Sequence, residues 1–354
     1  MNRYSSTTSP AQLASLIHGA QRILLLTHGK PDGDAIGSML ALYRALMRLG
    51  KTCEMFLKGP IGWNLEPLVA DDESITLLEH SRPSGQFDLI IVTDTGARSQ
   101  LDPLADWLAA QRDRVAVLDH HVNGDIELAE HRMIDPAAPS ATFLVADVID
   151  ALHVPITGGL FSIAEALLLG LATDTGWFRF NNASPAAFRL AARLIEAGAD
   201  KARIFAMTEE NDRPQRLALT ARAIESIEYL AEGGAAVMTL LPDDFKATGA
   251  DSEEMTGIVN EPLSIARVRV SALVSTVDGK VTKISFRSKP SQWTAQGMIF
   301  AIDVNTLAAQ FGGGGHIHAA GARVEGTLDD VKREVIAALE RACLTPSFSG
   351  TGNA

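Results

Sequence analysis

The sequence predicts an α/β protein of two domains: an N-terminal domain built on a parallel sheet, joined by a helical linker to a smaller α+β domain. Three observations lead to this prediction. The chain has 354 residues, which is long enough for two domains. Its first half alternates short apolar runs with helical patterns, as parallel sheets covered by helices do. Its last third alternates valine with polar residues around a turn signal, which predicts an antiparallel hairpin.

The parallel sheet is predicted from three buried strands in the first half of the chain. Residues 22–27, 87–93 and 114–118 are short apolar runs, each followed by polar residues. Between the first two, residues 36–49 carry apolar side chains at helical spacing and are followed by Gly50, a residue suited to a helix end. Strands that alternate with helices in this way favour a sheet with helices on both faces.

The middle of the chain is predicted to be helical. Residues 161–173 are an apolar run rich in alanine and leucine, and its length and composition favour a buried helix over a strand. A second helix is predicted at 185–197, where a serine precedes a proline at the start. A third is predicted at 213–231, because the helical pattern stops at two consecutive glycines. The link between the domains is placed in this helical region.

The C-terminal domain is predicted from strands at 235–240, 267–276 and 281–287, and from a final amphipathic helix at 327–342. The Asp-Gly pair at 278–279 is a hairpin turn signal between two of these strands. The expected boundaries are a first domain at 12–200, a helical linker at 201–234, a second domain at 235–345 and a disordered polar tail at 346–354.

Composition and charge narrow the classes of function. The formal net charge is −12, whereas proteins that grip long duplexes usually present a basic face. No apolar run reaches the ~18 residues of a membrane helix, and the N-terminus lacks the pattern of a signal peptide. The two cysteines, Cys53 and Cys343, are far apart, which argues against a disulfide framework and fits a reducing cytoplasm. We therefore expect a cytoplasmic protein that binds neither membranes nor long duplexes.

Acidic and imidazole side chains follow four apolar segments of the first half. They are His28, Asp32 and Asp34 after the first strand, Asp94 after the second, Asp119, His120 and His121 after the third, and Asp174 after the buried helical segment. Ligands of parallel-sheet proteins bind at such strand ends. Carboxylates packed together raise each other's pKa, and divalent cations remove that cost. Taken alone, the first group has an alternative interpretation, a turn in which Asp34 caps the next helix.

The nature of these ligands indicates the metal. Imidazole and carboxylate ligands without a thiolate suit Mn²⁺, Mg²⁺ or Co²⁺ better than structural Zn²⁺. Mn²⁺ is the first expectation, because imidazole is among the ligands. The sequence therefore predicts two divalent ions, with Mn²⁺ preferred.

These motifs resemble the DHH phosphoesterase superfamily, whose name is the motif present here at 119–121. The resemblance covers residues 12–342. In the C-terminal half, S-F-R-S at 285–288 and G-G-G-G-H-I-H-A-A-G at 312–321 are similar to the substrate-binding signatures of the DHH-associated domain. The likeness is greatest to a two-domain branch, the bacterial nanoRNases that also dephosphorylate 3′-phosphoadenosine 5′-phosphate.

The resemblance implies a role for each candidate residue. One metal would be held by His28 and Asp32, the other by Asp34, His120 and Asp174, and Asp94 would bridge them. Asp119 would lie behind the ligands and orient an imidazole, and His121 would face the substrate phosphate as a donor or proton shuttle. The residues implied to bind substrate are Arg287, Ser288, Gly313, Gly314, Gly315 and His316.

The expected function is hydrolysis of short RNA or DNA oligomers to mononucleotides, and of the 3′-phosphate of phosphoadenosine phosphate, by a water that two metal ions activate. The alternatives are a phosphodiesterase for linear or cyclic dinucleotides, a pyrophosphatase of the same family, and a nucleotide-binding regulator without catalysis. The complete set of metal-ligand positions argues against the regulator. An exposed edge strand in either domain would allow a homodimer.

Overall fold

The computed structural model describes residues 4–69, 75–77, 83–159, 162–294 and 297–344. The chain divides into two compact units, Met1–Asn211 and Asp212–Ala354. This division falls inside the stretch 201–234 that was predicted as a helical linker, and the domain boundaries themselves stay a prediction. The predicted disordered tail at 346–354 lies outside the described residues.

The first unit contains a parallel sheet of six strands, which are β1 (Arg22–Leu26), β2 (Thr52–Leu57), β3 (Ile75–Leu77), β4 (Leu89–Thr93), β5 (Val115–Asp119) and β6 (His131–Ile134). Their order in the sheet is β3-β2-β1-β4-β5-β6. The predicted parallel sheet is thus confirmed, with β1, β4 and β5 at the three predicted positions. After β1 the chain runs outward to β2 and β3, then returns to β4 on the other side of β1. The carboxyl ends of β1 and β4 therefore form the switch point at which such sheets bind ligands.

Eight helices are described in the first unit. They are α1 (Pro10–Gly19), α2 (Gly33–Arg48), α3 (Glu66–Val69), α4 (Ala105–Ala109), α5 (Ala141–Ala151), α6 (Ile163–Asp174), α7 (Pro185–Glu196) and α8 (Lys201–Glu209). The apolar segment predicted as a buried helix is α6, and ten of its residues are buried. The helices α2 and α6 pack so closely that a Cβ added to Gly37 would lie 2.4 Å from the carbonyl oxygen of Ala166. A Cβ added to Gly33 would lie 2.4 Å from Oγ1 of Thr173, so the start of α2 lies against the end of α6, where candidate ligands lie.

The second unit is a mixed sheet covered by helices. Its strands are β7 (Glu228–Leu230), β8 (Ala235–Leu240), β9 (Val270–Ser275), β10 (Val281–Ser288), β11 (Gln292–Thr294), β12 (Gly297–Ile299), β13 (Gly314–His316) and β14 (Ala319–Glu325). Its helices are α9 (Pro214–Glu225), α10 (Pro242–Thr248), α11 (Val304–Ala309) and α12 (Leu328–Leu344). The main sheet has the order β13-β14-β10-β9-β8-β7, with only β8 and β9 parallel. The predicted α+β class and the β9–β10 hairpin are confirmed.

The helix predicted at 213–231 is shorter than expected. It ends at Glu225, and residues 228–230 form strand β7 instead. Ser226 explains the break, because its Oγ accepts from the N–H of Thr239 at 2.8 Å and donates to the carbonyl of the same residue at 2.9 Å. These bonds tie the helix end to β8, and the following residues pair with β8 as an antiparallel strand. Among the described residues, no helix combines the length and apolar character that crossing a bilayer requires.

Candidate metal centre

Side chains from four segments of the first unit meet where β1, β4 and β5 end. The candidate ligands form two groups, in each of which the ligand atoms lie within 4.8 Å of one another: His28, Asp32 and Asp94, and Asp34, His120 and Asp174. Apart from Asp94, which the resemblance implied as a bridge, these are the residues that the resemblance assigned to the two metals. A third group, Asp94, His120 and His121, meets the same distance limit. Asp94 and His120 each belong to two of the three groups.

Asp94 lies at the middle of the cluster, directly after β4. Asp94 is only 3% exposed to solvent. Its Oδ2 lies 3.3 Å from Nε2 of His28, and its Oδ1 lies 3.4 Å from Nε2 of His120. Oδ1 is buried and makes no hydrogen bond of good geometry among the described residues. Buried carboxylate oxygens are normally hydrogen-bonded, so this oxygen is suited to a cation.

The two imidazoles beside Asp94 are oriented in the same way. Nδ1 of His28 donates to the carbonyl of Gly29 at 3.1 Å, and Nδ1 of His120 donates to the carbonyl of Ala138 at 3.3 Å. A carbonyl oxygen can only accept, so Nδ1 carries the proton in each ring. Each Nε2 therefore points its lone pair at the carboxylates when the ring is neutral. This is the arrangement by which metal-binding histidines are held in proteins.

The charges of the cluster are unbalanced in the absence of cations. Burial by itself would lower the pKa of both imidazoles. The contact with Asp94 and the surrounding carboxylates outweigh burial, and they raise the pKa of His28 to about 9 and that of His120 to about 10. Burial likewise opposes ionisation of Asp94, but the two imidazoles beside its oxygens hold its pKa at about 2. Protons on the two imidazoles thus supply the positive charge that the carboxylates require.

Asp34 and Asp174 form a group with His120, and Oδ2 of Asp174 lies 3.6 Å from Nε2 of that ring. Burial raises the pKa of Asp174 to about 7, and burial together with the charge of Asp94 raises that of Asp34 well above its usual value. Asp34 is held by the first turn of α5, where the N–H groups of Ala141 and Thr142 donate to its oxygens at 2.5 and 2.9 Å. This role of α5 was not predicted. Ser140, whose side chain caps that helix, was the sequence signal that could have located it.

Asp32 and Asp34 have different structural roles in their loop. Asp32 caps α2, because its Oδ1 accepts from the N–H groups of Asp34 at 3.0 Å and of Ala35 at 3.1 Å. The alternative interpretation of this segment was therefore right about a cap but wrong about the residue. The Asp32 side chain is 62% exposed and its Oδ1 lies 4.0 Å from Nε2 of His28. The carboxylate of Asp32 thus caps the first turn of α2 and also faces the imidazole of His28.

Asp119 and His121 form a pair behind the cluster. Asp119 is completely buried, and its Oδ1 accepts from Nδ1 of His121 at 2.7 Å and from the N–H of His121 at 3.1 Å. The imidazole that Asp119 orients is therefore that of His121. The hydroxyl of Tyr4 donates to Oδ2 of Asp119 at 2.7 Å. Tyr4 was not predicted, since 115 residues separate it from Asp119 and no local pattern signals the contact.

The second unit contains the residues predicted to bind substrate. Arg287 lies on β10, and its Nη1 donates to the carbonyl of Phe286 at 2.9 Å. Burial lowers the pKa of its guanidinium, and no carboxylate of the described part of the chain contributes to that shift. A partly buried cation without a carboxylate partner is suited to binding an anion. Ser288 is buried, and its Oγ lies 3.1 Å from Nδ1 of His318.

Residues of the glycine run 312–315 were implied to bind substrate, but three of its N–H groups have internal partners, and that of Gly312 donates to the carbonyl of Ala309 at 3.2 Å. The N–H of Gly313 donates to the carbonyl of Ala308 at 2.9 Å, and that of Gly315 donates to Oδ1 of Asn305 at 2.9 Å. A Cβ on Gly313 would lie 2.1 Å from the carbonyl of Gly321. The glycines therefore allow β13 to pack against β14. Gly314 and His316 pair with β14, and the side chain of His316 lies outside the described part of the structure.

Comparisons with known proteins agree with the two-unit division. The model of the DHH family, N-terminal domain, matches residues 22–171, and the model of the DHHA1 domain matches residues 233–344. The bifunctional oligoribonuclease and PAP phosphatase NrnA of Thermus thermophilus is 29% identical over 320 residues, which are 90% of this chain and 89% of that protein. The protein of the same name from Bacillus subtilis is 26% identical, over 91% of this chain and 94% of that protein.

A solved structure with the same fold covers nearly the whole chain. It is an exopolyphosphatase-related protein from Bacteroides fragilis, with a TM-score of 0.82 and 24% sequence identity over 97% of each chain. At this identity the likeness concerns the fold alone. Both units of the chain thus have a counterpart in one known structure.

Proposed function

Since this chain belongs to the DHH family and carries a DHHA1 domain, we propose that it hydrolyses short oligonucleotides to mononucleotides and removes the 3′-phosphate of phosphoadenosine phosphate. It is a hydrolase of phosphate esters. Two relatives that each match about nine-tenths of the chain are named for these activities. The single observation that carries the proposal is the presence of two three-residue groups of possible metal ligands. One group contains Asp94, and the other contains His120, which lies beside Asp94.

The centre fits two divalent cations, and Mn²⁺ is our first choice. One ion would be held by His28, Asp32 and Asp94, and the other by Asp34, Asp94, His120 and Asp174. The four carboxylates of this set carry four negative charges, which two divalent ions would neutralise while both imidazoles are neutral. Oδ1 of Asp94, which makes no hydrogen bond of good geometry among the described residues, and the Nε2 atoms turned toward the carboxylates supply suitable donor atoms. When bound, such ions supply a more acidic water as the nucleophile and neutralise charge on the phosphate oxygens.

His121 has a different proposed role, and the carboxylate of Asp119 orients its ring for that role. Its Nδ1 donates to Asp119, so the other ring nitrogen, Nε2, is the one that acts on substrate. We propose that Nε2 donates to a phosphate oxygen and passes a proton to the departing ribose oxygen. The buried carboxylate of Asp119 holds the ring in this orientation and stabilises its protonated form, so Nε2 holds a proton that it can donate at the reacting group.

Arg287 is the proposed phosphate-binding residue of the second unit. Its planar guanidinium can donate two hydrogen bonds to one phosphate, which a lysine cannot match. Arg287 pairs with Ala319 across β10 and β14, and Ala319 in turn pairs with His316 on β13. Positions 287 and 316 thus lie in register across three strands, which supports a joint role in binding substrate. Ser288, Gly313 and Gly315 support this part of the sheet through their internal contacts.

Product analysis tests the proposal. Labelled oligonucleotides of two to five residues, phosphoadenosine phosphate, a cyclic dinucleotide and inorganic pyrophosphate would each be incubated with the protein and Mn²⁺, then again after chelation. We expect mononucleotides from the short oligomers and adenosine monophosphate from phosphoadenosine phosphate, with both activities lost on chelation. Cleavage of pyrophosphate alone would refute the substrate class. Tight binding of nucleotides without turnover would instead identify a regulator.

A further inference from the structure

A short arm at the start of the described chain, residues 4–8, runs beside the edge strand β6. The N–H groups of Thr7 and Thr8 donate to the carbonyl of Arg132 at 2.7 and 3.0 Å. The Oγ of Ser6 accepts from the N–H of Ile134 at 2.7 Å and donates to its carbonyl at 2.8 Å. The arm therefore covers the free edge of β6 and is fixed along its length. This attachment determines where Tyr4 enters the unit.

Tyr4 inserts from this arm into a slot that two glycines leave open. The residue is 9% exposed. A Cβ on Gly96 would lie 1.8 Å from the Tyr4 hydroxyl oxygen, and a Cβ on Gly124 would lie 2.4 Å from Cζ of the ring. Gly96 is two residues after Asp94, and Gly124 is three residues after His121. The ring thus packs directly against the two loops that carry residues of the proposed centre.

The hydroxyl of Tyr4 completes the hydrogen bonding of Asp119. One carboxylate oxygen of Asp119 accepts from Tyr4, and the other accepts twice from His121. Burial, and then the charge of Asp119, raise the pKa of Tyr4, so the hydroxyl keeps its proton and serves as the donor. Without it, one oxygen of a fully buried carboxylate would lose its donor, which is costly in the interior. The carboxylate would then be free to rotate away from His121.

We propose that Tyr4 is a positioning residue of the reaction: it fixes the Asp119 carboxylate, which in turn fixes the imidazole of His121 toward the substrate phosphate. This inference rests on the role proposed for His121. It adds a residue from outside the DHH motifs, carried by an arm that precedes the parallel sheet. Tyr4 touches neither the substrate nor the ligand groups, and its effect passes through Asp119.

The first test compares Tyr4→Phe with Tyr229→Phe, a matched change at a tyrosine of β7 that is 48% exposed. Rates on a labelled dinucleotide would be measured at saturating Mn²⁺, well below the melting temperature of each variant. Removing a group that orients a functional side chain typically costs about tenfold or more in activity. We expect kcat of Tyr4→Phe to fall about tenfold, with KM and the Mn²⁺ concentration for half-activation within about twofold of the parent. Tyr229→Phe should match the parent in all three.

The second test asks whether the effect passes through His121. In a His121→Gln background, adding Tyr4→Phe should reduce the residual rate no further, because the imidazole it positions is absent. Proton NMR provides a readout that needs no turnover. The low-field Nδ1 proton of His121, assigned by its loss in His121→Gln, should shift or broaden in Tyr4→Phe and stay unchanged in Tyr229→Phe.

The outcomes separate this inference from the proposed function. If the parent protein hydrolyses no phosphate ester, the proposed function fails and the catalytic role of Tyr4 fails with it. If the parent is active and Tyr4→Phe keeps full kcat, or if the His121 resonance does not change, only the role of Tyr4 is refuted. A lower melting temperature with unchanged kcat would identify Tyr4 as a purely structural residue.

Discussion

Replacement of Asp94 by asparagine is the sharpest perturbation of the proposed centre. The change keeps the size and shape of the side chain and removes one negative charge from a residue that is 3% exposed. Asp94 faces both groups of candidate ligands, and its two oxygens lie 3.3 and 3.4 Å from the Nε2 atoms of His28 and His120. One substitution should therefore weaken both proposed metal positions together.

The magnitude follows from the buried negative charge that a bound cation would lose. Two unit charges about 3.3 Å apart interact with roughly 5 kcal/mol at an effective dielectric constant of about 20, which sets the scale for a cation beside Asp94. The cost of burying the carboxylate offsets part of this energy. Removing one partner of a buried charge pair has a net cost of about 3–5 kcal/mol, which corresponds to a factor of roughly 10² to 10⁴ in affinity. We expect Asp94→Asn to lose Mn²⁺ affinity by that factor and to lose turnover even at high metal concentration.

Calorimetric titration of the metal-free protein with Mn²⁺, together with initial rates on a dinucleotide, would measure both effects. The matched control is Asp88→Asn, one residue before β4. The Asp88 carboxylate is exposed and accepts from the N–H groups of Gln21 and Arg22 at 2.8 Å. This control removes the same charge at the opposite end of the same strand. It should leave metal stoichiometry and kcat unchanged.

The reasoning would be refuted if Asp94→Asn still bound two Mn²⁺ ions, with affinity and kcat within about tenfold of the parent. Such a result would mean that the carboxylate bridges nothing. The ligands would then act as separate sites, or would hold no metal. Loss of binding by Asp88→Asn as well would show that the effect came from damage to the sheet.

Further predictions concern Arg287, the protonation of His28 and His120, and the packing of α2 against α6. Arg287→Ala should raise KM for a dinucleotide roughly 10- to 100-fold, since a hydrogen bond to a charged group contributes about 1.5–3 kcal/mol. It should leave Mn²⁺ binding unchanged. Initial rates measure KM, and calorimetry measures Mn²⁺ binding. His28 and His120 hold protons up to pH about 9 and about 10 in the metal-free protein. Mn²⁺ must displace both, so its association constant should rise roughly 100-fold per pH unit between about pH 7.5 and 8.5, and more steeply below about pH 7, where Asp174 also holds a proton, with proton release seen by calorimetry in different buffers. The stability of the metal-free protein in EDTA should change with pH in the opposite direction. The contacts of the protonated rings stabilise the folded protein fully below the unfolded pKa of histidine, near 6.5. These contacts are lost as the pH rises through about 9 and 10, so the melting temperature should fall. Gly37→Ala should lower the free energy of unfolding by about 1–3 kcal/mol, because the added methyl meets a carbonyl of α6. Gly19→Ala is the control, since there is open space around Gly19, and it should change this free energy by less than about 1 kcal/mol. Denaturant titrations measure both.

Each of these predictions has a result that contradicts it. Arg323→Ala, an exposed arginine on β14, is the control for Arg287→Ala, and equal KM values for the two variants would remove Arg287 from substrate binding. An association constant for Mn²⁺ that does not depend on pH would mean that the imidazoles are not ligands. Equal stability of the two glycine variants would mean that the contact between α2 and α6 relaxes without cost.

The features that could be predicted from the sequence are those that a short segment determines. The apolar run of β1, the loop with His28 and Asp34, and Asp94 at the end of β4 are all visible locally, and parallel strands bring their carboxyl ends to one edge. Strand β2 was missed, because Glu54 interrupts its apolar pattern. The structure shows why a charge is tolerated there: Glu54 lies 2.6 Å from Nη2 of Arg22 on the neighbouring strand.

The contacts that orient the candidate ligands could not be predicted, because they join distant segments. The hydrogen bond from Ala141 of α5 to Asp34 joins residues 107 positions apart in the sequence. The hydrogen bond from Tyr4 to Asp119 joins residues 115 positions apart. No periodicity or local motif records such a pair, since each partner is an ordinary cap or core residue in its own segment. The residue types of the centre were therefore predictable, but their supports were not.

These supports explain why the centre should attract cations in place of relaxing around its own charges. Backbone groups hold the outer atoms of His28, His120, Asp32 and Asp34, so the side chains cannot turn away from each other to reduce repulsion. Their remaining donor atoms converge around Asp94, whose buried Oδ1 lacks a hydrogen bond. Without cations, the protein balances this charge with protons on two imidazoles, whose pKa values rise to about 9 and about 10. Since the backbone has already fixed the geometry, a divalent ion needs only to displace those protons, and little ordering of side chains opposes its binding.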